Sequence, residues 1–189
     1  MVELEGDHAK KFITNVGLIT SRGSEADNIM SAEWTHQISY NPGLIAVSIG
    51  PEKATAANIK ESKEFGVNLA SVDQTVLSSV AGGTSGWETD KIKALESLGF
   101  KFYPAKKIKC LMVDGSSLNI ECKLVKEITL GDHILFIGEV LSVQSNNNEP
   151  LAYHKGMYWK MEEPIPKISQ EQKGKIKEII NRFERDISD

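Results

Sequence analysis

Cysteine and long apolar runs are scarce in this chain of 189 residues. Its two cysteines, Cys110 and Cys122, are too far apart for a Cys-x-x-Cys pair and too few for a disulfide framework, which favours a reducing compartment. The N-terminus lacks the basic start and apolar run of a signal peptide, and no apolar stretch approaches the ~20 residues of a membrane span. We therefore expect a cytoplasmic protein with no membrane partner.

A strong charge imbalance is also missing, since 22 Lys and Arg are set against 26 Asp and Glu, for a formal net charge of -4. The densest basic cluster, Lys106, Lys107 and Lys109, has no interleaved aromatic residues on which bases would stack. Binding through nucleic-acid phosphates needs clustered Lys and Arg. We therefore expect no nucleic-acid partner.

The motifs of several enzyme classes are absent. The four histidines, His8, His36, His133 and His154, show no metal-ligand spacing, so we expect no metal site. No Gly-x-Ser-x-Gly motif is present, and the glycines of residues 82–86 complete neither the phosphate-loop nor the dinucleotide-binding pattern. These absences disfavour a metal enzyme, a serine hydrolase, a Walker-type NTPase and a Rossmann dehydrogenase.

Short apolar runs bounded by turn residues predict a mainly β domain. Strands are predicted at residues 16–20, 44–49 and 65–69, a helix at 54–61, and a helical region at 73–98 that the glycine loop interrupts.

A long antiparallel hairpin is predicted from residues 117–128 and 133–143, which a turn at Gly131-Asp132 separates. The first strand alternates, with Asn119 and Glu121 on its polar face, and this pattern predicts a strand that is buried on one face only.

A terminal helix is predicted after Pro164-Ile165-Pro166, because Ser169 and Gln172 form a Ser-x-x-Gln capping box. Its apolar face is formed by Ile176, Ile179, Ile180, Phe183 and Ile187. We expect residues 1–166 to form the main domain and residues 167–189 to form a helix that packs on that domain or on a dimer.

Small polar residues lie directly beside the apolar strands, where a solvated sheet would carry more Lys and Glu. A mostly apolar pocket with a few polar groups suits a ligand that has a flat apolar part and several polar edges. The residues concerned are Asn28, Ser31, Thr35, Ser39, Ser48, Thr55, Asn58 and Asn68.

A series of segments resembles the successive motifs of the flavin reductase-like, FMN-binding split-barrel proteins. The first part consists of residues 28–34 (Asn-Ile-Met-Ser-Ala-Glu-Trp), 38–42, 45–49, 55–59 and 64–69. Ser85-Gly86 with Asp90-Lys91, Gly99, and residues 131–140 continue it, so the likeness covers about residues 12–160. Glu33 departs from the pattern, since small or hydroxylated residues are common there.

The resemblance implies an antiparallel split β-barrel with Greek-key connections, flanking helices, a homodimer, and FMN held near the dimer interface. It assigns to the flavin site Asn28, Met30, Ser31, Ala32, Trp34, Ser48, Ile49, Thr55, Asn58, Asn68, Leu69 and Ala70, and Ser85 and Lys91 of its matched segments are added to the cofactor-binding set. His133, which opens a long strand after a turn, is the candidate catalytic residue, placed to contact the flavin edge or a nicotinamide.

The phosphate end of that assignment also has a physical basis. Thr55 and Asn58 follow Pro51 in the first turns of a predicted helix, where free N–H groups and the helix dipole favour an anion. Lys53 and Lys91 are the cations expected to neutralise a phosphate dianion.

Three functions remain open from the sequence. The leading prediction is an NAD(P)H-dependent oxidoreductase that passes electrons through FMN to flavin, ferric iron or a protein partner, with NADH or NADPH as donor. The alternatives are a non-enzymatic FMN-binding electron carrier reduced by a protein partner, and an interaction module that has lost flavin.

Overall fold

The computed structural model describes residues 4, 6–24 and 26–183, and it is mainly β. The strands are β1 (Thr14–Asn15), β2 (Gly17–Arg22), β3 (Asp27–Ala32), β4 (Thr35–Tyr40), β5 (Gly43–Ile49), β6 (Glu64–Leu69), β7 (Phe102–Pro104), β8 (Leu111–Val113), β9 (Leu118–Leu130), β10 (His133–Ser145), β11 (Leu151–His154) and β12 (Met157–Lys160). The helices are α1 (Gly6–Ala9), α2 (Ala54–Ser62), α3 (Thr75–Gly83), α4 (Lys91–Ser97) and α5 (Gln170–Asn181), and a 3₁₀ turn (Val72–Gln74) precedes α3.

Seven antiparallel strands form the main sheet in the order β3-β2-β6-β9-β10-β5-β4. The edge strands β3 and β4 are separated by only Glu33 and Trp34, and the three peptide steps from Ala32 to Thr35 reach at most about 11 Å. A flat seven-stranded sheet would hold its edges about 29 Å apart. The sheet is therefore curled into a barrel that is split between β3 and β4, as predicted.

Two apolar clusters hold this arrangement together. The cluster inside the barrel includes Phe65, Phe136 and Ile59, and burial of each such side chain stabilises the fold by about 1.5–3 kcal/mol. The second cluster lies between β3 and the α3–α4 pair and includes Ile29 and Leu77. Both faces of β3 are thus covered, and this strand is the common wall of the two clusters.

The sequence predictions for the strands, the α2 helix and the long hairpin are confirmed, with β9 and β10 paired from His133–Leu130 to Ser145–Leu118. The prediction that one face of β9 is solvent-exposed is wrong for its first half. Asn119 and Glu121 are buried, because β8 and the loop that precedes it cover that face. Glu121 accepts hydrogen bonds from the backbone N–H groups of Lys106 and Lys107.

The terminal helix α5 begins as predicted, since Gln172 N donates to Ser169 Oγ (3.1 Å) and Ser169 N donates to Gln172 Oε1 (2.8 Å). Packing on the chain's own domain is not observed, because no residue of α5 is buried and Ile180 is 57% exposed. The linker before α5 is exposed as well, with Ile165 93% exposed. Ile187 lies outside the described residues, and packing on a dimer remains a proposal.

None of the helices in the described part of the chain is long and apolar enough to cross a membrane.

Candidate functional site

The split of the barrel leaves one side of β3 available to a ligand. Among the described strands β3 pairs with β2 alone, in the register Asp27–Arg22 to Ala32–Gly17. In an antiparallel pair, alternate residues direct their backbone N–H and C=O groups away from the partner strand. The outer edge of β3 therefore offers backbone donors and acceptors at the split, the groups needed by the polar edge of a flat heterocycle.

Alternation along β3 sends its side chains to opposite faces. Asn28 faces α2, where its Nδ2 donates to Thr55 Oγ1 at 2.9 Å, and Met30 and Ala32 pack with the cluster inside the barrel. Ser31 faces α3 instead, with its Oγ 2.9 Å from Ser78 Oγ. The predicted flavin residues on β3 are thus divided, and Ser31 is separated from the other three by the strand itself.

Two lysines define a positively charged end of the site. Lys53 precedes α2 and forms an exposed ion pair with Glu52 (Nζ–Oε1 2.8 Å), whereas Lys91 opens α4. Lys91 is only 4% exposed, and its Nζ donates to the carbonyl of Ala81 at 2.9 Å. Burial, together with the nearby charge of Lys53, lowers the pKa of Lys91 to about 8. Among the described residues no carboxylate forms an ion pair with Lys91, so an anion at this position would be strongly favoured.

An aromatic pair lies at the other end of β3, beyond Ala32. The rings of Trp34 and His133 are 4.7 Å apart between centroids and tilted by 47°. Ser48 N donates to the carbonyl of Trp34 at 3.0 Å, and this hydrogen bond holds Trp34 beside β5. His133 Nδ1 lies 2.7 Å from Asp132 Oδ1, and that hydrogen bond lowers the pKa of Asp132. The structure therefore brings Trp34, Ser48 and His133 together, as the predicted site requires.

The loop after α3 lies close against β3 and α2. A Cβ added at Gly86 would lie 2.5 Å from Asn28 Oδ1 and 3.1 Å from Ala54 Cβ, so only glycine permits this approach. Trp87 Nε1 donates to the carbonyl of Glu52 at 2.9 Å and holds the loop over the start of α2. Ser85 is exposed at the loop tip. Trp87 is not among the predicted site residues, because its contact with Glu52 spans 35 positions of the chain.

Several predicted site residues are core residues in the structure. Asn68 is fully buried, its Nδ2 donates to Leu18 O (2.8 Å), and its Oδ1 accepts from Val113 N (2.9 Å) and Asn119 Nδ2 (2.7 Å). This amide is saturated by protein groups, and it ties together β2, β8 and β9. The side chains of Ile49, Thr55 and Ala70 are also buried, while Leu69 is partly buried against the barrel cluster.

Asn58 faces β2 from the middle of α2. Its Nδ2 donates to Ser21 Oγ at 3.2 Å, and it lines a cavity of about 440 Å³. That cavity is acidic, since four carboxylates line it, those of Asp27, Glu61, Glu88 and Asp90. Burial raises the pKa of Asp27. A phosphate is disfavoured here, so our proposal below places no phosphate contact on Asn58.

No three His, Cys, Asp or Glu side chains of the described residues are placed to hold a metal ion. Both cysteines are buried and unpaired with each other, and burial raises the pKa of each thiol to about 12. Neither thiol has the lowered pKa that a reactive cysteine needs.

Comparison with known proteins gives a consistent result. The family model of the flavin reductase like domain matches residues 9–162. An uncharacterized protein of Archaeoglobus fulgidus is 36% identical over 121 residues, which are 64% of this chain and 67% of that protein. The NADH-dependent flavin reductase of Rhodococcus sp is 23% identical over 155 residues, which are 80% of this chain and 82% of that protein. The solved structure of the flavin reductase PheA2 is similar with a TM-score of 0.70 and 31% identity, covering 82% of this chain and 94% of that one.

Proposed function

This chain belongs to the flavin reductase-like family, and on that premise we propose that it is an FMN-binding, NAD(P)H-dependent flavin reductase. The observation that carries the choice of FMN is the buried Lys91 beside Lys53 at the start of α2. A buried cation with only a carbonyl partner is unfavourable until an anion joins it. A phosphate monoester supplies the missing charge.

The phosphate would be held by three kinds of group. Lys53 and Lys91 provide positive charge, and the first turn of α2 provides N–H groups that have no partner inside the helix. Ser85, exposed on the adjacent loop, adds a hydroxyl. Thr55 acts indirectly, because its hydroxyl accepts from Asn28 and fixes α2 against β3.

The flat ring of FMN would lie at the outer edge of β3. Met30 and Ala32 provide apolar contact, and the free backbone groups of the strand orient the polar edge of the ring. When bound, FMN supplies the capacity to accept a hydride from a nicotinamide and to release electrons to an acceptor. The chain's own contribution is to bind, orient and shield the reacting groups from water.

His133 would position a ligand through the aromatic pair. The contact with Trp34 and the hydrogen bond to Asp132 fix the imidazole where the open end of the split begins. Hydride transfer needs alignment more than a proton donor. We therefore assign His133 to alignment of the flavin edge or of the nicotinamide.

The proposed electron donor is supported by a relative. The Rhodococcus relative is named as an NADH-dependent flavin reductase, which supports a nicotinamide donor for this chain. The acceptor would be free flavin, ferric iron or a redox partner protein. A homodimer with FMN near its interface completes the proposal.

Steady-state oxidation of NADH and NADPH, measured with excess FMN or a ferric chelate, tests this function. We expect saturable consumption in the wild type and a raised KM for FMN in Lys91→Met. Lys101→Ala, which removes an exposed lysine outside the site, is the matched control and should retain the wild-type KM. Absence of NAD(P)H oxidation with every acceptor would refute the proposal, and tight FMN binding in that case would favour the electron carrier instead.

A further inference from the structure

A cavity of about 520 Å³ lies on the face of β3 that is turned away from the proposed flavin groove. It is bounded by β3, by the C-terminal end of α3 and by the β11–β12 hairpin. Its volume is within the range of small-molecule sites, which is about 300–1,000 Å³. No role in flavin binding explains it, because Ser31, which lines it, faces away from Met30 and Ala32.

One wall of this cavity is aromatic. The rings of Tyr153 and Tyr158 are 5.5 Å apart between centroids and tilted by 57°. Tilted rings at this distance present a face and an edge, and a third aromatic ring can extend such an arrangement. Val16 adds an apolar contact, and Gly82 and Gly83 leave the opposite side free of side chains.

A chain of hydroxyl groups lies along the cavity. Tyr158 Oη donates to Ser78 Oγ at 3.0 Å, and Ser78 Oγ is 2.9 Å from Ser31 Oγ. Each hydroxyl has one proton to donate. Tyr158 uses its proton in the bond to Ser78. The hydroxyls of Ser78 and Ser31 still have one proton each, and the bond between them uses only one of the two. Ser79 Oγ donates to the carbonyl of Thr75 and lies 3.3 Å from Tyr158 Oη, so one O–H donor is available to a ligand when that longer contact is not made.

An acceptor is also available. Asn15 lines the cavity, its Nδ2 donates to the carbonyl of Thr35 at 2.6 Å, and its Oδ1 is buried with no donor among the described residues. A buried acceptor without a donor costs about 1–3 kcal/mol, which a ligand N–H or O–H would recover.

Charge restricts the ligand further. Glu33 lies at the rim and is exposed, and none of the described residues that line the cavity is Lys or Arg. An anionic ligand would meet a carboxylate with no compensating cation.

From these features we propose that the cavity binds a small neutral aromatic molecule that carries both a hydrogen-bond donor and an acceptor, in the class of phenols and aromatic amides. The aromatic pair binds the ring, and the hydroxyl chain and Asn15 bind the polar groups. The site is separate from the flavin groove and shares only strand β3 with it.

Isothermal titration of the full-length protein with 4-hydroxybenzamide tests the proposal. We expect saturable binding, and at least tenfold weaker binding of 4-hydroxybenzoate because of Glu33. Asn15→Ala removes the amide oxygen that lacks a donor, and we expect it to weaken binding about fivefold, as for the loss of one hydrogen bond. Ser97→Ala on α4, outside the cavity, is the control and should bind as the wild type does.

Gly83→Leu provides a second, independent variant. Gly83 lines the cavity and a Cβ at this position meets no atom within 4 Å, so the backbone accepts a side chain here and a leucine would narrow the cavity. We expect it to abolish binding of the probe while its circular dichroism spectrum remains that of the wild type. Unchanged affinity in both Gly83→Leu and Asn15→Ala, no binding of the probe at all, or loss of probe binding on saturation with FMN would overturn the separate site.

Discussion

Lys91 is a single residue whose burial is unfavourable for the stability of the free protein and favourable for binding an anion. Its ammonium group is almost fully buried, and its partner is the carbonyl of Ala81 near the C-terminal end of α3. A cation near a helix C-terminus is favourable, but the pKa of about 8 shows that loss of hydration outweighs this contact. The residue therefore gains most when an anion binds.

The affinity for FMN should depend on the protonation of Lys91. Below pH 8 the lysine is already charged in the free protein, so binding takes up no proton there. Above pH 8 the free protein loses that proton, binding must restore it, and the Kd for FMN should rise by up to about tenfold per pH unit. Fluorescence titration of FMN between pH 7 and pH 10 measures this.

Lys91→Met is the control for that titration. It should weaken FMN binding about 10- to 100-fold at pH 7, as expected for loss of a charge-assisted hydrogen bond, and its Kd should not change above pH 8. An unchanged Kd in this variant would remove Lys91 from the phosphate site.

Asn68 illustrates a residue that the resemblance assigned to the flavin but that the fold uses in its core. Asn68→Ala would leave the buried groups of Leu18, Val113 and Asn119 short of a partner. We expect the free energy of unfolding in urea to fall by about 3 kcal/mol or more. FMN affinity of the folded fraction should stay within about twofold of the wild type, and a large selective loss of affinity would instead support a flavin contact.

Among the secondary-structure elements, those marked by local sequence signals were predicted correctly. The burial of residues by segments distant in sequence was not predicted. The α2 helix, the β9–β10 hairpin and the cap of α5 follow from period, turn residues and a capping box, all of which lie within a few positions. The burial of Asn119 could not be predicted from such local signals, because it is β8 and its neighbouring loop that cover this side chain. The edge strand β4 was not predicted, since its exposed sequence Thr-His-Gln-Ile-Ser-Tyr lacks regular alternation.

The helix α5 should contribute little to the stability of the barrel. None of its residues is buried in the chain, and exposed positions typically contribute within about 0.5 kcal/mol. A chain that ends after Pro166 should therefore keep the midpoint of thermal unfolding within about 3 °C of the full-length value at low protein concentration. A larger fall would show that residues 167–189 pack on the barrel or on a second copy.

At the scale of the whole molecule, the site exists because the barrel is split. Strand β3 is an edge of the sheet, yet Glu33 and Trp34 connect it directly to the opposite edge, and this short link leaves backbone groups of β3 facing a gap. The same strand separates the proposed flavin groove from the cavity lined by Ser31. One strand thus serves two candidate sites through the alternation of its side chains.

Sequence reasoning recovered the fold and the β3 motif but not every member of the two sites. Trp87, which bonds to Glu52 across 35 positions, and Tyr158, which bonds to Ser78 across 80 positions, were missed. Such contacts are created only when the chain folds, and no local pattern marks them. The resemblance placed Asn58 near the phosphate, and in the fold Asn58 lines a cavity together with four carboxylates.

The central claim is that this chain binds FMN and reduces it with a nicotinamide. Its most direct test is the visible absorption spectrum of the purified protein, loaded with FMN, before and after anaerobic addition of NADH and then NADPH. We expect rapid bleaching of the bound flavin by at least one donor. A protein that binds no flavin, or a bound flavin that stays oxidised with both donors, would contradict the account.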